Sequence, residues 1–236
     1  MINLNKKTIF CHNEKTAGTS MSMELRQLRG NYYIASNLRE SRDGKIDFNE
    51  FTWETGIHYP NMHMRMRTYN KIVNLSDFYS FAFVRNPKTR YVSLYTQQLK
   101  YFLNDETMGA EKALQVQNDV TIDIGPEWDT ITPGIYKFNF EFFLTTYNLE
   151  GGNTQTAQLC DSDNNIMCDF IGRYETLEED WGAVCSKVGI PYRPLLQTNK
   201  SGLDQDTVEQ FYTSDLKGFL FDKYSDEFEV FDYEKG

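Results

Sequence analysis

No stretch of about 18 consecutive apolar residues occurs in this chain, so the sequence offers no candidate for a membrane-spanning helix. No apolar leader core follows Met1 either, which leaves nothing to read as a secretory signal. Cysteine is scarce. The four are Cys11, Cys160, Cys168 and Cys185, with no C-x-x-C pair, and only three histidines accompany them. A structural zinc site is therefore not expected. These absences point to a reducing, cytoplasmic setting, with Cys11 and Cys185 as core thiols and a Cys160–Cys168 disulfide left open. Basic charge is also short: 24 Lys and Arg stand against 34 Asp and Glu, a formal net charge of −10. That balance argues against nonspecific binding to nucleic acid or to an anionic membrane. Any anionic ligand would need a local cationic pocket set against the field of the whole chain. Repeats and low-complexity linkers are missing too, and the 236 residues read as one domain over 1–236.

What is present is a series of strand–turn–helix units. In the first, the β-prone run Thr8-Ile9-Phe10-Cys11 leads through His12 and Asn13 into Glu14-Lys15-Thr16-Ala17-Gly18-Thr19-Ser20. Met21, Leu25 and Leu28 then recur at i, i+4 and i+7, one face of a helix. A loop feeding a helix N-terminus is an anion site, because unpaired amides and the positive dipole end meet there. Lys15 adds a full charge, Thr16, Thr19 and Ser20 add hydroxyls, and Gly18 permits close backbone approach. The order of residues is not that of a nucleoside-triphosphate P-loop, in which Gly-Lys-Ser/Thr follows an earlier glycine. Here Lys-Thr precedes the only glycine.

The second unit is the near-continuous apolar run Phe78 to Val84, as in a buried parallel strand. It is stopped by Arg85-Asn86-Pro87 and followed by Tyr91, Tyr95, Leu99 and Phe102 on one helical face. The third is Asp169 to Glu175, followed by a helix with Leu177, Trp181, Val184, Cys185 and Val188 on one face and Gly189 and Pro191 at its end. Residues 30–57 show no clear period and read as irregular, and 104–135 read as short helical and loop pieces. His63 to Asn74 looks helical and carries Arg65, Arg67 and Lys71. Phe138 to Tyr147 reads as a short buried helix, and the acidic, aromatic tail from Asp204 as one or two amphipathic helices. Three such units predict an α/β domain with a mainly parallel sheet flanked by helices, whose ligands gather beyond the carboxyl ends of the strands. The loops Asn13–Ser20, Arg85–Arg90 and Arg173–Glu175 would then share one crevice.

Three blocks, in order, carry a family resemblance. Lys15-Thr16-Ala17-Gly18-Thr19-Ser20 resembles the 5′-phosphosulfate loop of sulfotransferases that use 3′-phosphoadenosine 5′-phosphosulfate (PAPS), in particular the carbohydrate sulfotransferases and their bacterial relatives. Phe81 to Pro87 with Arg90, Ser93, Leu94 and Tyr95 resembles the 3′-phosphate motif of that family. Asp169 to Leu177 resembles its later Phe-Ile-Gly-Arg-Phe-Glu-x-Leu segment, and Gln155-Thr156 matches a Gln-Thr before it. The resemblance implies a P-loop-like, three-layer fold and sulfuryl transfer from PAPS to a hydroxyl, or an amine, of a carbohydrate or small molecule. It implies that Lys15, Thr16, Ala17, Gly18, Thr19, Ser20, Arg85, Ser93, Arg173 and Tyr174 bind the cofactor, with Lys15 also offsetting charge on the leaving oxygen. A base is needed as well. His63 stands where relatives carry a histidine, His58 is second choice and Glu54 third. Gln155 and Trp53 are placed at the acceptor, where an aromatic ring can stack on a sugar or pack in the core. Two departures stand out: Glu14 replaces the usual Pro, which sets a carboxylate beside an anion pocket, and Lys88-Thr89 replaces the common aromatic-Asp pair. A P-loop-type nucleotide kinase and an inactive nucleotide-binding module of the same fold are the rival readings.

Overall fold

The computed structural model describes residues 1–3, 6–27, 32–35, 53–55, 63–126, 131–148, 154–196 and 203–235, with 26, 27, 32–35, 53–55 and 72 described through their backbone alone. Along these residues the strands are β1 (Ile2–Asn3), β2 (Thr8–Cys11), β3 (Tyr32–Ala35), β4 (Trp53–Thr55), β5 (Tyr79–Val84), β6 (Thr121–Ile124), β7 (Gly134–Lys137) and β8 (Phe170–Arg173). The helices are α1 (Gly18–Gln27), α2 (Met66–Ile72), α3 (Pro87–Leu103), α4 (Ala110–Val116), α5 (Phe140–Phe142), α6 (Gln155–Leu159), α7 (Leu177–Val188), α8 (Gln205–Glu209), α9 (Ser214–Lys223) and α10 (Ser225–Val230). The chain forms two compact units, one of residues Met1–Arg85 and Gln155–Thr198, the other of Asn86–Thr154 and Asn199–Gly236.

The first unit is built on a six-stranded sheet of order β4-β3-β1-β2-β5-β8. The three strands expected from the apolar runs lie side by side and parallel, β2 against β5 and β5 against β8. The expectation of a mainly parallel sheet is nevertheless corrected. β1, β3 and β4 extend it through antiparallel pairings, so the sheet is mixed. The reason is visible in the sequence. β1 has two residues, and β3 and β4 lie in the stretch read as irregular, without an apolar run to mark them. β5 is buried from Ser80 to Val84, as a strand with neighbours on both sides must be. Its Phe83 fills the space left by Gly172 of β8, where an added Cβ would lie 2.5 Å from the ring. Phe10, Phe81, Phe83, Met21, Leu25, Trp181, Val184 and Cys185 form one core cluster, so the predicted faces of α1 and α7 are the buried ones. Leu28 falls outside the described residues.

The second unit is mostly helical. Asn86 caps α3 by accepting from the Lys88 amide at 3.0 Å, with Pro87 at the first helical position. Tyr91, Tyr95 and Leu99 are fully buried, whereas Phe102, in the last turn, stays 43% exposed. The region 104–135 contains α4 as expected, and also contributes β6 to an antiparallel pair with β7 that the sequence reading did not anticipate. α5 runs on as a π-helical turn, Phe143–Tyr147, and the acidic tail folds into three short helices. Phe138, Phe140, Phe143, Phe211, Tyr224 and Phe228 join the α3 face in one core.

A buried ion pair sits in that core. Arg90 and Glu227 are each 1% exposed, with Arg90 Nη1 3.8 Å from Glu227 Oε1, and the Tyr91 hydroxyl donates to the same oxygen at 2.6 Å. Removing one partner of such a pair leaves an uncompensated charge in the interior, whereas replacing both with apolar groups of similar size is tolerated. Glu227→Ala should therefore lower unfolding free energy by about 3–5 kcal/mol. The double variant Arg90→Met/Glu227→Leu should recover most of it, as measured by chemical denaturation.

Candidate functional site

Because β2, β5 and β8 are parallel, their carboxyl ends lie on one edge of the first unit's sheet. Cys11, Val84 and Arg173 end them there, and Lys15, Arg85 and Tyr174 follow. The loop after β2 has an unusual backbone. Lys15 (φ 64°) and Ala17 (φ 63°) are both left-handed, a region that costs a residue with a Cβ roughly 1–3 kcal/mol. Alternating backbone of this kind turns successive amides toward one concavity, which favours an anion. Thr16, between them, is fully buried, and its hydroxyl donates to the Asn13 carbonyl at 2.9 Å. Hydrogen bonding in α1 begins with the Met21 amide on the Ala17 carbonyl, so the amides of Gly18, Thr19 and Ser20 lie ahead of it at the positive end of the helix. No acidic residue occupies that first turn. Thr19 is exposed, while the Ser20 hydroxyl donates to the Leu196 carbonyl at 2.6 Å. Gly18 also serves the interior of the unit. A Cβ on it would lie 1.9 Å from Cδ2 of His12, so its bareness makes room for that imidazole.

Helix α6 fastens these loops from below. Gln155, wholly buried, accepts from the Arg85 amide (2.8 Å) and from Asn13 Nδ2 (3.1 Å), and donates through Nε2 to the Arg85 carbonyl (2.9 Å). Asn13 Nδ2 also reaches the Phe83 carbonyl at 3.1 Å. The Gln155 amide thus grips main chain, and its burial keeps it off the surface where an acceptor would lie. One turn on, Gln158 Nε2 donates to the carbonyls of His63 (2.7 Å) and Met64 (2.9 Å). Neither Gln158 nor Asn13 was singled out in the sequence. The i, i+3 spacing of Gln155 and Gln158 on a helix, and a polar residue straight after a buried strand, were the signals available.

The fastening sets the reach of the charged groups. Arg85 is 5% exposed, its guanidinium lies 4.1 Å from the centre of the Tyr174 ring, and Nη1 donates to the Lys15 carbonyl at 3.4 Å. His63 is 38% exposed at its side chain. Its Nδ1 is 3.1 Å from the His12 carbonyl, its ring 4.7 Å from that of His12, and its Nε2 3.6 Å from Glu14 Oε1. Arg173 is held through its amide, which donates to Asp180 at 2.8 Å. The structure thus brings the Lys15 loop, Arg85, Tyr174, Gln155 and His63 together in one unit. Ser93 lies on α3 in the other unit, 3% exposed. His58 falls outside the described residues, as do the side chains of Trp53 and Glu54, whose backbone forms part of β4.

All four cysteines are free thiols, so the open Cys160–Cys168 pairing is not formed. Among the described residues no cluster of His, Cys, Asp and Glu is suited to a metal ion, and no helix is long and apolar enough to cross a membrane.

A family model described as "Sulfotransferase family" matches residues 1–234 of the chain. No curated protein and no solved structure gives a match. The match spans nearly the whole sequence and agrees with the three blocks around Lys15, Arg85 and Arg173. The chain belongs to the sulfotransferase family, a family of transferase enzymes that move sulfuryl groups.

Two outcomes test this geometry. Gln155→Leu removes a buried partner from the Arg85 amide and carbonyl and one of the two acceptors of Asn13 Nδ2, and should lower stability by at least about 2 kcal/mol by chemical denaturation. Burial pushes the Cys11 thiol up to about 12 from 9.0. The native thiol should therefore resist iodoacetamide at pH 8.5 and react only on unfolding, as read by mass spectrometry. Since the folded value is raised, this group's contribution to stability is intact below about pH 9 and is lost as pH climbs toward 12.

Proposed function

We propose that the protein transfers a sulfuryl group from PAPS to a hydroxyl, or an amine, of a carbohydrate or small-molecule acceptor. One observation carries the reading. Lys15 and Arg85, 70 residues apart, meet at the carboxyl edge of the parallel strands, the guanidinium donating to the Lys15 carbonyl. The groups present suit a dianionic nucleotide: two cations, a helix N-terminus free of acids, and Glu14 set against His63. We read the fold as P-loop-like and three-layered, and the two units as parts of one sulfotransferase domain, because the family match runs through both.

When bound, PAPS supplies a sulfuryl group activated by a 5′-phosphate that leaves with the electron pair of the S–O bond. The amides of Gly18, Thr19 and Ser20 at the α1 N-terminus hold the 5′ anion, with Thr16 and Ala17 shaping the loop behind them. Lys15 offsets charge on the departing oxygen, an effect of roughly 3–4 kcal/mol for a preorganised donor. Arg85, with its planar fork steadied on Tyr174, grips the 3′-phosphate, Arg173 being its further partner. His63 Nε2 takes the acceptor's proton as the acceptor oxygen bonds to sulfur. His58 is the second candidate for that task. Trp53 is the candidate for the acceptor that the resemblance implies, and Gln155 holds the loop from the interior.

Calorimetry with adenosine 3′,5′-bisphosphate (PAP) and turnover of radiolabelled PAPS on a broad acceptor panel test the reading. Lys15→Ala and Arg85→Ala should lose cofactor binding or at least about 100-fold in turnover. His63→Ala should keep PAP affinity and lose about 100-fold or more in kcat. No binding and no turnover in the unaltered protein overturns the proposal, and binding without turnover on any acceptor points to an inactive module instead.

A further inference from the structure

Glu14 stands beside a site built for anions, and its position is accounted for by His63. The two side chains come from segments with β3 and β4 between them in the chain, yet Nε2 of His63 lies 3.6 Å from Glu14 Oε1, at the rim, with 38% and 29% of the two side chains exposed. The other ring nitrogen faces the His12 carbonyl at 3.1 Å. A carbonyl oxygen only accepts, so Nδ1 carries the hydrogen and the bare lone pair of the neutral ring is on Nε2. The main chain at His63 is held in turn by Gln158 Nε2 on its carbonyl. The ring is therefore held through its backbone by Gln158 and along its Nδ1 edge by the His12 carbonyl, with the His12 ring tilted at 59° beside it and the Glu14 carboxylate beyond Nε2.

We infer that Glu14 is a positioning residue for His63: it stands at Nε2 and balances the positive charge that arises on the imidazole when the acceptor's proton arrives. The inference rests on the reading of His63 as the base. The proton passes from the acceptor hydroxyl to Nε2, the acceptor oxygen forms its bond to sulfur, and the S–O bond to the 5′-phosphate breaks with its electrons staying on the phosphate. Glu14 takes no proton in this step. Its carboxylate stays charged, and an ion pair exists only after transfer. At 3.6 Å the contact is too long for a strong hydrogen bond, which leaves Nε2 open to a substrate hydroxyl from the exposed side. The same arrangement resolves the conflict posed by a carboxylate next to the phosphosulfate loop, since Glu14 is turned toward the histidine.

The test compares Glu14→Gln and Glu14→Asp with the unaltered protein by three measurements: PAP affinity by calorimetry, kcat and KM with PAPS, and the ¹⁵N signature of the His63 ring by two-dimensional NMR, assigned with His63→Gln. Glu14→Gln should bind PAP as tightly or more tightly, hold KM, and lose about tenfold or more in kcat. Its His63 ring signals should move away from those of the unaltered protein. Glu14→Asp should recover part of the loss in kcat and of the ring signature. Turnover of Glu14→Gln within twofold of the unaltered protein, or an unchanged His63 signature, overturns the inference. Failure of the unaltered protein to bind PAP is a separate result that removes the proposed function, and the ring signature then reports alone on whether the Glu14 carboxylate acts on His63.

Discussion

The arrangement depends on one buried amide. Gln155 makes three hydrogen bonds at the ends of two neighbouring parallel strands, two to the main chain of Arg85 and one to Asn13. Each group it serves lies out of reach of water, where an orphaned donor or acceptor costs about 1–3 kcal/mol. The loop after β2 and the turn after β5 are therefore registered against each other through side-chain amides, in a region where the sheet's own ladder has ended. Arg85 can then reach over Tyr174 to the Lys15 carbonyl, and the charged groups of the site come together because their backbones are tied first.

Much of this was legible in the sequence, and the remainder has a physical reason for being hidden. The apolar runs ending at Cys11, Val84 and Arg173 marked three parallel strands, β2 and β5 most clearly because strands with neighbours on both sides cannot alternate polar and apolar residues. The antiparallel strands of two to four residues leave no such mark. β1, β3 and β4 are recognised only through pairing partners far along the chain, which is why the mixed character of the sheet went unread. The positions of Lys15 and Arg85 followed from strand ends alone. The fasteners did not, because a buried glutamine looks like any surface glutamine until its burial is known. Gln155 was read as a group for the acceptor, and the structure gives it main chain to hold.

The charge of the chain bears on the site as well. A net charge of −10 works against an anionic ligand everywhere except where cations are gathered locally. Acids near the site are directed elsewhere: Glu14 faces His63, and Asp180 receives the Arg173 amide and the Thr176 hydroxyl. In the second unit Glu209 likewise meets both Lys88 and Lys217, which gives the substituted Lys88 a partner of its own. Local pairing of this kind lets an acidic protein keep a cationic corner.

The left-handed backbones of Lys15 and Ala17 lead to a last consequence. Such a loop is not at rest in isolation; it is kept bent by anchors lying outside it, like a spring clip closed by its frame. Slackening any distant anchor lets the clip open, and the lysine it presents swings away with it. Damage to this corner of the molecule can therefore originate at positions that never touch a ligand, and a map of sensitive residues should spread inward along α6 rather than outward over the surface.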